Sequence, residues 1–358
     1  MSRPRLTLAE IAERAGVSVA TVSRVLSEYP HVKEATRERV KRILAEMRYD
    51  PGALYSPFVS YGTPMVGLLI PATMAGLGLA RAVYLTLVQV VRQEVEARGF
   101  GLYVGTFSGE SSDELVGDRV IRDRQIVGAV VARLRSESEV APLRAAGLKV
   151  VVLNRQVAAA GVHTVTVDNR AAAAEAARHL LDLGHRRIGV LAGPEDVYSA
   201  AERLLGYQDA VRAAGLPSDA LIVARTDLAE EQGERATANL LDASRRPTAL
   251  LAVNDYLALA ALALAVRRGV RVPQDLSIVG FDDIEAARFV TPALTTVHMP
   301  WDRMARWGAH VLVDALEDDQ LERVSVRMNT RLVIRGSTAS RARARAGRKT
   351  AHKQEVVA

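Results

Sequence analysis

The chain has 358 residues, 49% hydrophobic and 25% charged, an ordinary globular composition and more chain than one typical domain needs. It contains no cysteine, which excludes a disulfide framework and every thiolate metal site and suits a reducing compartment. The net charge of +6 sits at the ends: residues 1–60 hold ten Lys and Arg against seven Asp and Glu, residues 335–358 hold seven against one, and the body between is mildly acidic. A basic end favours a phosphate backbone, although solvated helix faces explain the same count. The N-terminus is polar and basic, and no apolar run approaches the roughly 18–20 residues of a membrane span, so the chain reads as cytoplasmic, with no membrane partner.

The first stretch with a pattern runs from Leu6 to Tyr49 and reads as three short helices. Thr7 and Glu10 form a capping box, followed by Leu8, Ile11, Ala12 and Ala15 at helical spacing. Gly16 suits a tight turn, and Ser18 can cap a second helix whose inward stripe is Val22, Val25 and Leu26. Its outer face carries Val19, Ala20, Thr21, Ser23 and Arg24. Val40, Ile43, Leu44 and Met47 mark a third amphipathic helix. Two helices on a turn this short, braced by a third, make a helix-turn-helix sized for the major groove, although spacing alone leaves open a helical hairpin that never meets DNA.

The residues narrow the choice. The run GVSVATVSRVL, then TRERV from Thr36 and the exit Tyr49-Asp50-Pro51, closely resembles the DNA-binding head of the lactose-repressor (LacI/GalR) family of bacterial transcription regulators. In that reading Val19 and Ala20 meet base edges through apolar contact, and Arg24 offers guanine two hydrogen bonds. Ser18, Thr21, Ser23 and Thr7 hold phosphates and set the register. The alternatives are that Ser18 only caps and that Thr21 is partly buried.

Residues 51–64, PGALYSPFVSYGTP, read as a linker, with three prolines and two glycines. The resemblance implies a hinge helix here that wedges an apolar side chain into the minor groove, a role that falls on Phe58 with Leu54 and Tyr55 one turn earlier. Pro57 departs from that pattern, because an interior proline costs a helix about 3 kcal/mol.

From Met65 the pattern alternates apolar strands with amphipathic helices. MVGLLIP, GLYVGTF, VGAVVA and KVVVL form a first series, and HTVTV from His163, RIGVLAG, LIVAR, TALLAVN and LSIVGFDD form a second. This predicts two doubly wound parallel α/β subdomains, which hold ligands at the carboxyl ends of their strands. Those ends carry Asn154 and Arg155, Asp168 and Asn169, Asn254 and Asp255, and Asp282 and Asp283, with Arg203 and Tyr207 on a following helix. Amides, carboxylates and a guanidinium in one cleft suit a polyhydroxylated ligand, because each buried hydroxyl needs a donor and an acceptor. Asp or Asn after a strand more commonly caps the next helix, so Asp168 and Asn169 are assigned to capping, and Arg203 and Asp282 to the ligand.

The resemblance extends to about Ser337 through VDNRAAAAEAARHLLDLGHRRIGVLAGP, ERLLGYQDAVRAAGL, RPTALLAVNDYLALAAL, GVRVPQDLSIVGFDD and LTTV. It implies a periplasmic-binding-protein-like core, with effector contacts at Asn154, Arg203, Asn254 and Asp282 and chain crossings near 160, 290 and 322. Three positions depart: PATMAGLGLARAVY after the first strand, the absence of an aromatic near Asp227-Leu228, and Met299 after LTTV. The organisation expected is a head at 1–50, a hinge at 51–64, a core at 65–337 and a basic, disordered tail at 338–358.

Against an enzyme, neither Gly-x-Gly, at 76–78 or at 99–101, completes a dinucleotide fingerprint. There is also no phosphate loop, metal-spaced histidine cluster or nucleophile elbow. The expectation is therefore a homodimeric regulator, read as a repressor, on a near-palindromic double-stranded operator. Its effector is a small molecule, a sugar first and a purine or other metabolite second, and no cofactor is expected. An activator or a corepressor-dependent regulator is the alternative.

Overall fold

The computed structural model describes residues 12, 14–18, 21–22, 25, 34–46, 64–71, 81–107, 126–132, 134 and 136–341, in two compact units that divide between Gly62 and Thr63. In the first unit Ala12, Ala15, Val22, Val25 and Val40 form a buried cluster with Val17 and Ile43 packed on it, as the helical spacing predicts. Gly16 has a φ of 64°, the left-handed turn that suits glycine. The Ser18 Oγ accepts from the Thr21 backbone N–H at 3.2 Å, a cap for the second helix, and lies 2.9 Å from the Thr21 hydroxyl. Helix α1 spans Glu34–Glu46.

The second unit holds two six-stranded sheets. Chain order gives β1 (Met65–Pro71), α2 (Arg81–Glu96), β2 (Gly101–Phe107), β3 (Ile126–Ala132), α3 (Ala141–Ala145), β4 (Lys149–Leu153) and β5 (Val162–Val167). Then come α4 (Asn169–Asp182), β6 (Ile188–Ala192), α5 (Tyr198–Ala213), β7 (Leu221–Arg225), α6 (Glu230–Asp242), β8 (Ala249–Ala252) and α7 (Asp255–Arg267). The chain continues through β9 (Ser277–Asp282), α8 (Ala286–Phe289), β10 (Thr295–His298), α9 (Trp301–Glu317), β11 (Ser325–Met328) and β12 (Arg331–Val333). The sheet orders are β11-β5-β4-β3-β1-β2 and β12-β10-β9-β8-β6-β7. All neighbours are parallel except β10 with β12. The central strands are short apolar runs, as strands covered on both faces must be: Val150, Val151, Leu153, Val190, Leu250, Ile278 and Phe281 are all buried, whereas β11 and β12 at the sheet edges carry Ser325, Arg327 and Arg331 and are partly exposed.

Two sequence expectations change. β5 belongs to the first sheet, paired with β4 from Val150 opposite Val162, and does not open the second. The chain changes sheet at Asp168, at Met299-Pro300 and at Asn329-Thr330, rather than near 160, 290 and 322. In each case a strand taken for the start of a lobe completes the previous one, since apolar alternation identifies a strand and not its partner.

The tail also starts later than the expected 338. The Ala339 N–H donates to the Ser277 Oγ at 3.1 Å, and the Arg341 N–H to the Leu183 carbonyl at 2.9 Å. The buried Ser337 Oγ donates to the Ile278 carbonyl at 2.6 Å. Residues 342–358 lie outside the described residues. Among the described residues no helix is long and apolar enough to cross a membrane.

Candidate ligand-binding cleft

The strand ends of the second sheet converge on Arg203, which projects from α5 and is 4% exposed. Its Nε donates to the Asn169 Oδ1 at 3.0 Å, and one terminal nitrogen donates to the Val253 carbonyl at 2.5 Å. That same nitrogen lies 3.4 Å from the Asp282 carboxylate, and the guanidinium stacks on the Phe281 ring at 3.6 Å. A buried cation needs such company, because desolvation is costly unless charge and hydrogen bonds are both matched. Asn169 in turn donates to the Asn154 Oδ1 at 2.9 Å. Asn154 directly follows β4 of the first sheet, so a continuous polar path, Asn154–Asn169–Arg203–Asp282, runs from one lobe to the other.

Asn154, Arg203 and Asp282 are thus brought together. Asn254 is adjacent through Val253, but its Oδ1 caps α7 by accepting from the Leu257 N–H at 2.9 Å. Asp168 caps α4 through the Ala171 N–H at 2.9 Å, as expected, and pairs with Arg327. Asn169 does not cap. Its placement one residue inside the helix turns the amide inward, a role that a capping assignment hid. Tyr207 is a core residue: it is fully buried, its hydroxyl donates to the Ala252 carbonyl at 3.2 Å, and burial raises its pKa.

The loop after β9 is held from beneath. Asp255 is wholly buried, accepting from the Thr296 hydroxyl at 2.5 Å and from the Ile284 N–H at 2.9 Å. Burial first, then the Asp282 charge, raises its carboxyl well above the usual range. Gly280 makes the room, since a Cβ there would lie 2.1 Å from the Asp255 Oδ1. Asp282 and Asp283 have φ of 116° and 56°, and Asn154 has 59°, conformations that L residues adopt at a cost of about 1–3 kcal/mol each.

Asp283 faces a different set. Its carboxylate lies 3.0 Å from the His298 Nδ1 and 3.6 Å from Arg288, and it pairs closely with Arg335. Burial would raise this carboxyl, but the hydrogen bonds from Arg335 and His298 and the charges of Arg335 and Arg288 hold it below the ordinary value. His298 closes β10 immediately before one crossing, and Arg335 lies shortly after another.

Asp255, Asn169 and Phe281 form part of this arrangement without having been assigned to it from sequence. The signal available was the apolar run leading into Asn-Asp and Phe-Asp-Asp, where buried strands must end in groups that satisfy one another. Of the residues expected to touch DNA, Ser18 and Thr21 are described above. Thr7, Val19, Ala20, Ser23 and Arg24, and the hinge candidates Leu54, Tyr55 and Phe58, lie outside the described residues.

Comparison with known proteins agrees with both units. Residues 7–52 match the profile of bacterial regulatory proteins of the lacI family, and residues 177–338 that of a periplasmic binding protein-like domain. The HTH-type transcriptional regulator CelR of Thermobifida fusca is 33% identical over 94% of this chain and 99% of its own. The HTH-type transcriptional repressor CytR of Escherichia coli K12 is 31% identical, over 93% and 96%. A solved transcriptional regulator CelR–cellobiose complex superposes with a TM-score of 0.69 at 31% identity, covering 93% of this chain and all (100%) of that one. With a head of that profile, a two-lobed core and relatives matched over nearly their whole length, the chain belongs to the LacI family of bacterial regulatory proteins and is a ligand-controlled, DNA-binding transcriptional regulator.

Proposed function

We propose that this regulator is a homodimeric repressor whose effector is a neutral, polyhydroxylated molecule, a sugar, held between the lobes by Asn154, Arg203, Asn254 and Asp282. The observation that carries the reading is the Arg203–Asp282 pair. The guanidinium is already matched by a carboxylate, an amide and a carbonyl, so the cleft presents paired charges and amides rather than a cation awaiting a phosphate. Such a surface suits hydroxyl groups, which donate and accept at once. The cellobiose complex of the CelR relative supports the same class.

In the head, Arg24 reads guanine, Val19 and Ala20 meet base edges, and Thr7, Ser18, Thr21 and Ser23 hold phosphates. Phe58, with Leu54 and Tyr55, serves the minor groove. Two heads related by a twofold axis require a near-palindromic operator. Effector binding moves the operator equilibrium by its differential affinity for two core conformations, typically about 1–3 kcal/mol.

Thermal unfolding of the full chain with glucose, cellobiose, adenosine and hypoxanthine tests the effector class, because a ligand of the folded state raises its apparent stability. A rise with a sugar supports the reading. A rise with hypoxanthine alone replaces it with a purine.

A further inference from the structure

Tyr256 is the second residue of α7, and its side chain is unlike those around it. The residue is 6% exposed, and its hydroxyl oxygen is buried with no hydrogen-bond partner among the described residues. The Asp282 Oδ1 is likewise buried without a hydrogen bond and meets Arg203 as an ion pair at 3.4 Å. Leaving a phenol hydroxyl out of water and unbonded costs about 1–3 kcal/mol, so it calls for a reason.

Its surroundings supply one. Burial chiefly, then the charges of Asp282 and Asp255, then Tyr84 and Glu230, keep this phenol in its protonated, donor form. Asp282 is the charge that acts on it most. Tyr84 lies on α2, which packs on β1 and β2 of the first sheet, whereas Tyr256 follows β8 of the second. Tyr256 opens the helix after β8, which lies next to β9 in the sheet, and directly follows Asp255, whose carboxylate accepts from the Ile284 N–H of the loop after Asp282.

We propose that Tyr256 is an effector-binding residue: its O–H donates to a hydroxyl of the bound molecule whose own proton goes to the Asp282 carboxylate. An alcohol is the group that fits, because it accepts from the phenol and donates to the carboxylate in the same position. A carbonyl could only accept, and an ammonium could only donate. The contact forms when the effector is present, so the free protein bears the cost of the unbonded hydroxyl and the complex recovers it. This inference rests on the sugar reading above and extends it to one hydroxyl and one side chain.

The test is Tyr256→Phe in the full chain, with thermal unfolding measured without additive and across titrations of glucose and cellobiose. Removing a hydroxyl that has no partner leaves the additive-free melting temperature of the variant equal to or above that of the wild type. The apparent affinity for the responsive sugar falls about three- to tenfold, the size of one net hydrogen bond. Equal affinity in the two proteins overturns the Tyr256 contact and leaves the sugar reading intact. A less stable variant without additive also overturns the contact, because the hydroxyl then has a partner in the free protein. A wild type that responds to neither sugar overturns the sugar reading itself, and this contact with it.

Discussion

The Arg203 guanidinium carbon lies over the Phe281 ring, 3.6 Å from its centroid, and a guanidinium stacked on a ring keeps its edges free to bond in its own plane. The edges are used for Asn169, Val253 and Asp282. A lysine keeps the charge and loses both the plane and the fork.

Arg203→Lys is therefore expected to fold and to lose the sugar-induced thermal shift. Arg203→Ala leaves Asp282 buried without its cation and should cost about 3–5 kcal/mol of stability. Urea unfolding of both variants, with thermal titration of the Lys protein, checks the pair. A Lys variant that responds like the wild type removes the guanidinium geometry from the site.

Gly280→Ala should be among the most damaging small substitutions in the core. Its methyl would meet the Asp255 carboxylate at 2.1 Å and a Leu294 methyl at 3.0 Å, and Asp255 is held in place by two hydrogen bonds. Overpacking of this kind costs about 1–3 kcal/mol, read as a lower urea midpoint with an unchanged slope.

Acid should weaken the fold through His185. Burial chiefly lowers its pKa to about 4 from 6.5. The Nε2–H donates to the Ala339 carbonyl at 3.2 Å, leaving Nδ1 to accept from the Thr248 hydroxyl at 2.9 Å. The folded state prefers the neutral ring, so this contribution is complete above about pH 6.5 and is lost as pH falls toward about 4, up to about 3 kcal/mol in all. His163 and His179 are lowered by burial as well and act in the same sense. The informative measurement is the difference between wild type and His185→Gln in stability across that range. Equal slopes would mean that His185 does not titrate with folding.

On DNA, Arg24→Ala should cost about 1–3 kcal/mol on a specific site and little on random duplex. Competition binding at fixed salt separates the two. An equal loss on both would make Arg24 a backbone contact.

Most strands could be read from their apolar runs almost to the residue, because burial on both faces leaves little choice of side chain. What local pattern could not supply was partnership. HTVTV reads identically whether it opens one sheet or closes another, and only its pairing with Lys149–Leu153 and Ser325–Met328 decides. The same holds for side chains: Asp168 and Asn169 both read as caps, yet one residue of helical rotation sends the first to a backbone N–H and the second to Arg203. Asn254, assigned to the ligand, spends its oxygen on a helix N-terminus. Tyr256 carried no signal at all, since an aromatic after Asn-Asp is an ordinary core residue until its oxygen is found unbonded.

Asp282 and Asp283 share one peptide plane but face different company. The first meets Arg203, and the second meets His298 and Arg335, which flank two of the three passages between lobes. Both hold positive φ angles, which L residues adopt at a cost. Because the two carboxylates stand on adjacent residues, any rotation of the peptide between them alters the Arg203 contact and the His298 and Arg335 contacts together.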